Sequence, residues 1–199
     1  MDYDPQYFDS LFSGDADPWR FKSRWYEERK RELTLACLPA ARFEHAYEPG
    51  CANGELTAAL SGRCDHLLAS DGSAKAVELA RSRLAALPGV QVEQAWVPSQ
   101  WPVGGFDLIV ISELAYFLPV DALDPLVARI LESLKPGGVV LACHWRRQIE
   151  GCALNGDQVQ AHLSVNLALP HLAQVLDADL RLDVWCRDPR SVAQREGFV

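Results

Sequence analysis

No apolar run in this chain approaches the ~20 residues that a membrane-spanning helix needs. An excess of positive charge is also missing. Lys and Arg number 19 against 27 Asp and Glu, for a net charge of -8. The counterion-release attraction that drives nucleic-acid binding is therefore weak, although Arg20, Lys22 and Arg24 leave room for a local basic patch. Neither nucleic acid nor a membrane is expected as a partner. The six cysteines, Cys37, Cys51, Cys64, Cys143, Cys152 and Cys186, contain no Cys-x-x-Cys pair, which removes the commonest zinc and redox spacings. Free core thiols and no metal site are expected. The opening Met1-Asp2-Tyr3-Asp4-Pro5 lacks the basic-then-apolar order of a signal peptide, so a cytoplasmic location is expected. Internal repeats and low-complexity tracts are absent, and nothing in the composition fixes an oligomeric state.

What is present is a core-forming composition, 49% hydrophobic over 199 residues, enough for one α/β domain with an appendage. Residues 1–20 mix aromatics and acids. Residues 21–38 read as a helix with Phe21, Trp25, Arg29 and Leu33 at i, i+4, stopped by Pro39. A β/α alternation follows. Strands are predicted at Phe43–Glu48, His66–Ser70, Val90–Ala95, Phe106–Ile111 and Val139–His144, with helices at Glu55–Leu60, from the Ser73 cap to Leu84, and at Asp121–Leu134. Lys135-Pro136-Gly137-Gly138 reads as a turn between helix and sheet. A further helix over Gly156–Leu169 precedes a strand pair, His171–Leu176 and Leu180–Arg187, around Asp177-Ala178-Asp179. The alternation predicts a mostly parallel sheet with helices on both faces and a C-terminal antiparallel hairpin. Ligands on such sheets sit beyond the carboxyl ends of the strands, which directs attention to the loops 48–54, 71–73, 95–97, 112–117 and 144–147.

The first of these loops is the most informative. Gly50 and Gly54 permit a sharp turn and close backbone approach to a ligand. A nicotinamide or flavin fingerprint requires G-x-G-x-x-G, yet the second and third positions counted from Gly50 are Ala52 and Glu55. Glu55 at the helix start is also a poor neighbour for a pyrophosphate. The pattern Glu48-x-Gly50-x-Ala52-x-Gly54, with Cys51 inside it, instead resembles the acidic-x-Gly-x-Gly-x-Gly loop of class I S-adenosylmethionine-dependent methyltransferases. Asp71, at the end of the second strand and followed by Gly72 and Ser73, suits both hydroxyls of a ribose; a dipole-favoured helix acid or an Asp-Gly turn is the plain alternative. Trp96 and Val97 lie where an adenine would be held, and Trp96 equally suits an ordinary surface or core aromatic. Ser112 and Glu113 follow the fourth strand, facing the methionine end of such a cofactor and the substrate.

The outer segments extend the resemblance over nearly the whole chain. Asp17-Pro18-Trp19-x-Phe21, Trp25-Tyr26-Glu27-x-Arg29-Lys30, His144-Trp145-Arg146-Arg147, Gly156-Asp157-x-Val159 and Leu182-Asp183-Val184-Trp185 look like the nodulation-protein-S-type methyltransferases. The resemblance implies a Rossmann-like class I methyltransferase fold with seven strands, S-adenosyl-L-methionine as cofactor, and N-methylation of an amine on a small molecule or amino sugar. It divides the chain into residues 1–40, a helical segment capping the cofactor, and residues 41–199, the methyltransferase domain. In it Trp19 packs on the cofactor and Arg29 pairs with its carboxylate; a solvated Arg29 paired to a nearby glutamate is the alternative. Glu113, His144 and Tyr116 are the candidate catalytic residues, the first two to bind an ammonium and take its proton, the third to orient it. His144 equally suits a structural role. An O-methyltransferase, a nicotinamide-dependent oxidoreductase and a non-catalytic binding module stay open as alternatives.

Overall fold

A computed structural model describes residues 3–199. Two helices precede the sheet. The first, α1 (Pro5–Gly14), opens on Asp4, whose side chain accepts from the Tyr7 N–H, with Pro5 in the first turn; this is a standard helix start. The second, α2 (Trp25–Cys37), begins four residues later than Phe21. Its phase also differs from the expected stripe. Trp25 is 65% exposed, whereas Glu27, Lys30 and Thr34 are buried. The inward face is polar, so an apolar period could not find it.

The β/α units then follow: β1 (Phe43–Pro49), α3 (Glu55–Ser61), β2 (Cys64–Asp71), α4 (Ala74–Leu84), β3 (Val90–Gln94), β4 (Phe106–Ser112), α5 (Leu123–Ser133), β5 (Leu134–Trp145), α6 (Gly156–Leu167), β6 (His171–Leu176), β7 (Leu180–Cys186) and a short α7 (Val192–Arg195). The sheet order is β3-β2-β1-β4-β5-β7-β6. The first five strands in that order are parallel, and β7 runs antiparallel to both β5 and β6. This is the Rossmann-like class I methyltransferase fold, with seven strands and a C-terminal hairpin as anticipated.

One boundary differs from expectation. The fifth strand starts at Leu134, before Lys135-Pro136-Gly137-Gly138, and not after it. Phe106 pairs with Leu134 and Leu108 with Val139, so β5 advances five residues against two on β4. The surplus residues form a bulge within the strand rather than a separate turn. Apolar residues on alternate sides of the sheet supply two cores. Tyr47, Ile109, Ile111 and Val140 pack with Leu126, Ile130, Val159 and Leu163 on one face. Ala46, Leu67, Leu108, Val110 and Leu141 pack with Leu38 and Leu60 on the other. All six cysteines are free, and none of the described helices is long and apolar enough to cross a membrane. Among the described residues no group of three His, Cys, Asp or Glu is placed to hold a metal ion.

Candidate active site

A cavity of about 640 Å³ opens beyond the carboxyl ends of β1 and β4, where the strand order reverses, with α1 and α2 on its other side. Its floor is the turn after β1. Gly50 (φ +75°) lies so close to Leu114 that a Cβ would stand 3.0 Å from that side chain, and its N–H donates to the Ser70 carbonyl at 2.7 Å. Ala52, which occupies the middle glycine position of the motif, adopts φ +50°. The turn is thus held in left-handed geometry by an alanine.

Asp71 joins this turn to the next. Its Oδ2 accepts from the Ala52 N–H and its Oδ1 from the Ser73 N–H, each at 2.9 Å. Burial pushes its carboxyl up in pKa, while these backbone donors pull it down. Each carboxylate oxygen keeps a further lone pair, and Asp71 lines the cavity. Glu48 is only 2% exposed, and its Oε2 has no hydrogen-bond partner. Burial, with the Asp71 charge adding to it, raises the Glu48 carboxyl to about 8. Glu48 therefore holds its proton at neutral pH, with the Thr57 hydroxyl pulling the other way, and its place on the cavity wall suits an entering cation that could displace that proton.

The other rim is charged and tightly linked. Glu113 directly follows β4 with φ +54°. Its Oε1 lies 3.3 Å from Lys30 Nζ, while its Oε2 accepts from the Tyr116 hydroxyl and from the Trp145 N–H. Lys30 Nζ is also 2.8 Å from Glu27 Oε2. Burial acts to lower the Lys30 pKa, but the Glu113 and Glu27 charges outweigh it and the net shift is upward. The ammonium form is therefore retained. The Tyr116 hydroxyl is raised by burial and by the Glu113 charge, so it stays a donor.

Most of the residues singled out from the sequence line this cavity: Trp19, Glu48, Gly50, Cys51, Asp71, Gly72, Trp96, Val97, Ser112, Glu113 and Tyr116. Gly72 faces Trp96 so closely that a Cβ would sit 2.1 Å from the ring. Four residues do not line it. Gly54 (φ +80°) caps α3 and packs under Leu84 and Ala80. Ser73 is fully buried; it caps α4 and donates to Asp9 on α1 at 2.5 Å, tying the roof to the sheet. Arg29 pairs with Asp177 in the β6–β7 turn at 2.7 Å. It is one residue from Lys30, and ~100° of helix rotation carries it off the cavity face.

His144 requires the fourth correction. It is 0% exposed, and burial lowers its pKa to about 4. Its Nε2 accepts from the Ala115 N–H at 3.3 Å, so the proton of the neutral ring sits on Nδ1, which has no partner. The ring meets Tyr116 edge-on with centroids 5.3 Å apart. His144 props the 113–117 loop from beneath and is not a base exposed to substrate.

Within residues 1–40, the segment expected to cap the cofactor, only Trp19 and Arg29 were singled out from the sequence. Tyr3, Tyr7, Phe8 and Phe12 of the N-terminal segment, together with Arg24, Tyr26, Glu27, Lys30, Arg31 and Thr34, line the cavity. The Asp4-Pro5 cap was the available signal for α1.

This fold, with a glycine turn and acid at the first two strand ends beneath a helical roof, defines a Rossmann-like methyltransferase architecture. A family model described as a methyltransferase domain matches residues 46–138. A candidate methyltransferase from Pseudomonas syringae, known from a crystal structure, is 50% identical with a TM-score of 0.75, the match covering 82% of this chain and 100% of that one. The chain belongs to the methyltransferase family. Nodulation protein S of Rhizobium tropici is 30% identical over 128 residues, 61% of this chain and 52% of that protein. The chain spans about half the length of the curated relatives it matches first. The crystal structure of the N-methyltransferase NodS from Bradyrhizobium japonicum WM9, in complex with S-adenosyl-L-homocysteine, shares the fold: TM-score 0.81 at 24% identity, covering 93% of this chain and 98% of that one.

Proposed function

We propose that the protein is an S-adenosyl-L-methionine-dependent methyltransferase that N-methylates an amine on a small molecule or amino sugar. The observation that carries this reading is the pair of carboxylates on the cavity wall, Asp71 bridging two turns and Glu48 with an unmatched oxygen. Asp71 has lone pairs to spare for a ribose diol. Glu48 suits the ammonium of an amino-acid moiety. Trp96, packed on Gly72, and Val97 offer an apolar slot for a purine. No phosphate is needed in this arrangement, and the Asp71 carboxyl in the wall offers one no donor.

The bound cofactor supplies a methyl group already activated on a sulfonium sulfur. The chain's own task is alignment and exclusion of water. The α1 roof serves the second purpose: Asp9 ties it to Ser73 and Lys75, and Tyr3 to the Glu150 carbonyl. Glu113 holds Tyr116 through its Oε2, while its Oε1 faces the Lys30 ammonium at 3.3 Å without a hydrogen bond. With the Glu113 carboxylate in an ion pair with Lys30 and His144 buried, neither expected base is free. An amine can attack as its neutral form after losing a proton to solvent, whereas a hydroxyl needs a base as it reacts. That difference favours nitrogen over oxygen as the acceptor atom.

Isothermal titration with S-adenosyl-L-homocysteine and with NADH tests the cofactor. Saturable heat with the first and none with the second is expected, and the reverse result sinks the reading. Transfer from S-adenosyl-L-methionine to a panel of small amines, amino sugars and matched alcohols tests the acceptor. Turnover confined to alcohols would refute N-methylation.

A further inference from the structure

With the nucleoside laid against Asp71, Gly72 and Trp96, the part of the cavity that remains for a methyl acceptor lies beyond Glu113. Its walls come from separate elements and consist largely of rings. Phe117 stands 4.8 Å from Tyr116 and 4.9 Å from Tyr3, centroid to centroid, which joins the 113–117 loop to the N-terminal segment. Tyr26 of α2 meets Trp145 of β5 edge-on at 5.1 Å. Both groups adjoin Glu113, whose Oε2 accepts from the Tyr116 hydroxyl and from the Trp145 N–H. Ile149 adds to the same lining.

Polar partners are scarce in this compartment. The Tyr3 hydroxyl donates to the Glu150 carbonyl and the Tyr116 hydroxyl to Glu113. Asp179 pairs with Arg147 at 2.9 Å. Two buried atoms have no hydrogen-bond partner, the Tyr26 hydroxyl and Glu113 Oε1. Burial and the Glu113 charge keep the Tyr26 hydroxyl protonated. An apolar compartment with a few placed polar atoms suits a small organic ligand, and these two atoms are enough for one nitrogen. A sugar brings several hydroxyls, and each one buried against rings without a partner weakens binding by about tenfold. Size points the same way. At protein packing density a nucleoside joined to an amino acid takes well over half of the 640 Å³. The rest holds one ring and a short arm, not a chain of sugars.

We propose that the methyl acceptor is an amine carried on a single aromatic ring by a short arm, its ring packed on Trp145 and its nitrogen facing the Tyr26 hydroxyl and Glu113 Oε1. The proposal rests on the N-methyltransferase reading above and narrows its acceptor to one class. The amine lone pair forms the bond to the methyl carbon as the carbon–sulfur bond breaks. The electron pair of that bond stays on sulfur, and the methylated nitrogen gives its proton to water. Tyr26 and Trp145 then determine specificity.

The test compares initial rates with S-adenosyl-L-methionine for benzylamine and phenethylamine, for cyclohexylmethylamine, and for glucosamine and its disaccharide. In the wild-type chain kcat/KM for the aryl amines should exceed that for either amino sugar by about tenfold or more. Trp145→Leu should lower kcat/KM for the aryl amines by about 5- to 10-fold, chiefly through KM, and should shrink their preference over cyclohexylmethylamine. Affinity of that variant for S-adenosyl-L-homocysteine should stay within about twofold of wild type, which reports that the site is folded. An amino sugar used as well as the aryl amines, turnover of no amine by a chain that binds S-adenosyl-L-homocysteine, or an aryl preference unchanged in Trp145→Leu overturns the acceptor class. A wild-type chain that does not bind S-adenosyl-L-homocysteine instead removes the reading on which the proposal rests, a result distinct from these.

Discussion

Asp71→Asn isolates the contact on which the nucleoside reading stands, because the carboxylate performs two separable tasks. Toward the protein, its two oxygens accept one backbone N–H each, from Ala52 and Ser73 at 2.9 Å. An asparagine keeps one oxygen and replaces the other with an NH₂ donor. Whichever way the amide turns, one backbone N–H then faces a donor. A partly buried N–H left without a partner costs about 1–3 kcal/mol. For a chain of this length that is a fall in melting temperature of roughly 2–12 °C. Toward the cavity, the amide offers one acceptor where the carboxylate offers two charged ones. Losing a charge-assisted bond weakens nucleoside binding by about 10- to 100-fold.

The two effects are separated by changing the ligand as well as the residue. Thermal melts without ligand read the first. Titration with 5′-methylthioadenosine and with its 2′-deoxy analogue reads the second. In the wild-type chain the diol should bind tighter than the deoxy compound, and in Asp71→Asn that preference should shrink toward unity. A preference of equal size in both chains would show that the hydroxyl meets some other group, and the argument from the second strand end would be wrong. An unchanged melt would show in addition that the two turns do not depend on Asp71.

Three further outcomes follow from the same geometry. Folding raises the Glu48 carboxyl from 4.5 to about 8. The folded chain therefore keeps a proton that the unfolded chain has already lost, and the associated stability, full below the unfolded value, fades as pH climbs toward 8. A ligand ammonium at Glu48 should expel that proton, so the heat of S-adenosyl-L-homocysteine binding at pH 7 should vary with the ionisation enthalpy of the buffer, and Glu48→Gln should abolish both the variation and the stability slope; a buffer-independent heat refutes the contact. Gly72→Ala places a methyl 2.1 Å from the Trp96 ring, which must move at a cost of about 1–3 kcal/mol. If Trp96 stacks on the base, affinity should fall about tenfold or more; titration showing no loss removes Trp96 from the site. Ala52→Gly relieves a left-handed alanine at φ +50°, and should raise the melting temperature by about 2–4 °C for a gain near 1 kcal/mol; a lower melting temperature contradicts the assigned strain.

The parts of this molecule that were legible in sequence are those written in short-range patterns. Leu108–Ile111 is a continuous apolar run because both faces of β4 are covered, and Ser73 marks the start of α4 because its side chain caps it. The turn at Glu48–Gly54 announces itself because only residues tolerant of positive φ can make it, and Ala52 shows how far that tolerance stretches. The charged half of the site was not legible, for a reason of phase. A helix exposes its facing side chains by rotation of ~100° per residue, and the usual guide to that rotation is an apolar stripe. On α2 the inward face carries Glu27, Lys30 and Thr34, while Trp25 points to solvent. Arg29, the residue that the resemblance put forward, stands one step round from Lys30 and off the cavity. His144 was left open between a base and a structural role because it lies on a strand, where direction alternates every residue. Its imidazole turns beneath the 113–117 loop and is sealed by Tyr116, whereas its neighbour Trp145 lines the cavity. In both places what sequence could not supply was the direction that decides which of two adjacent side chains lines the cavity.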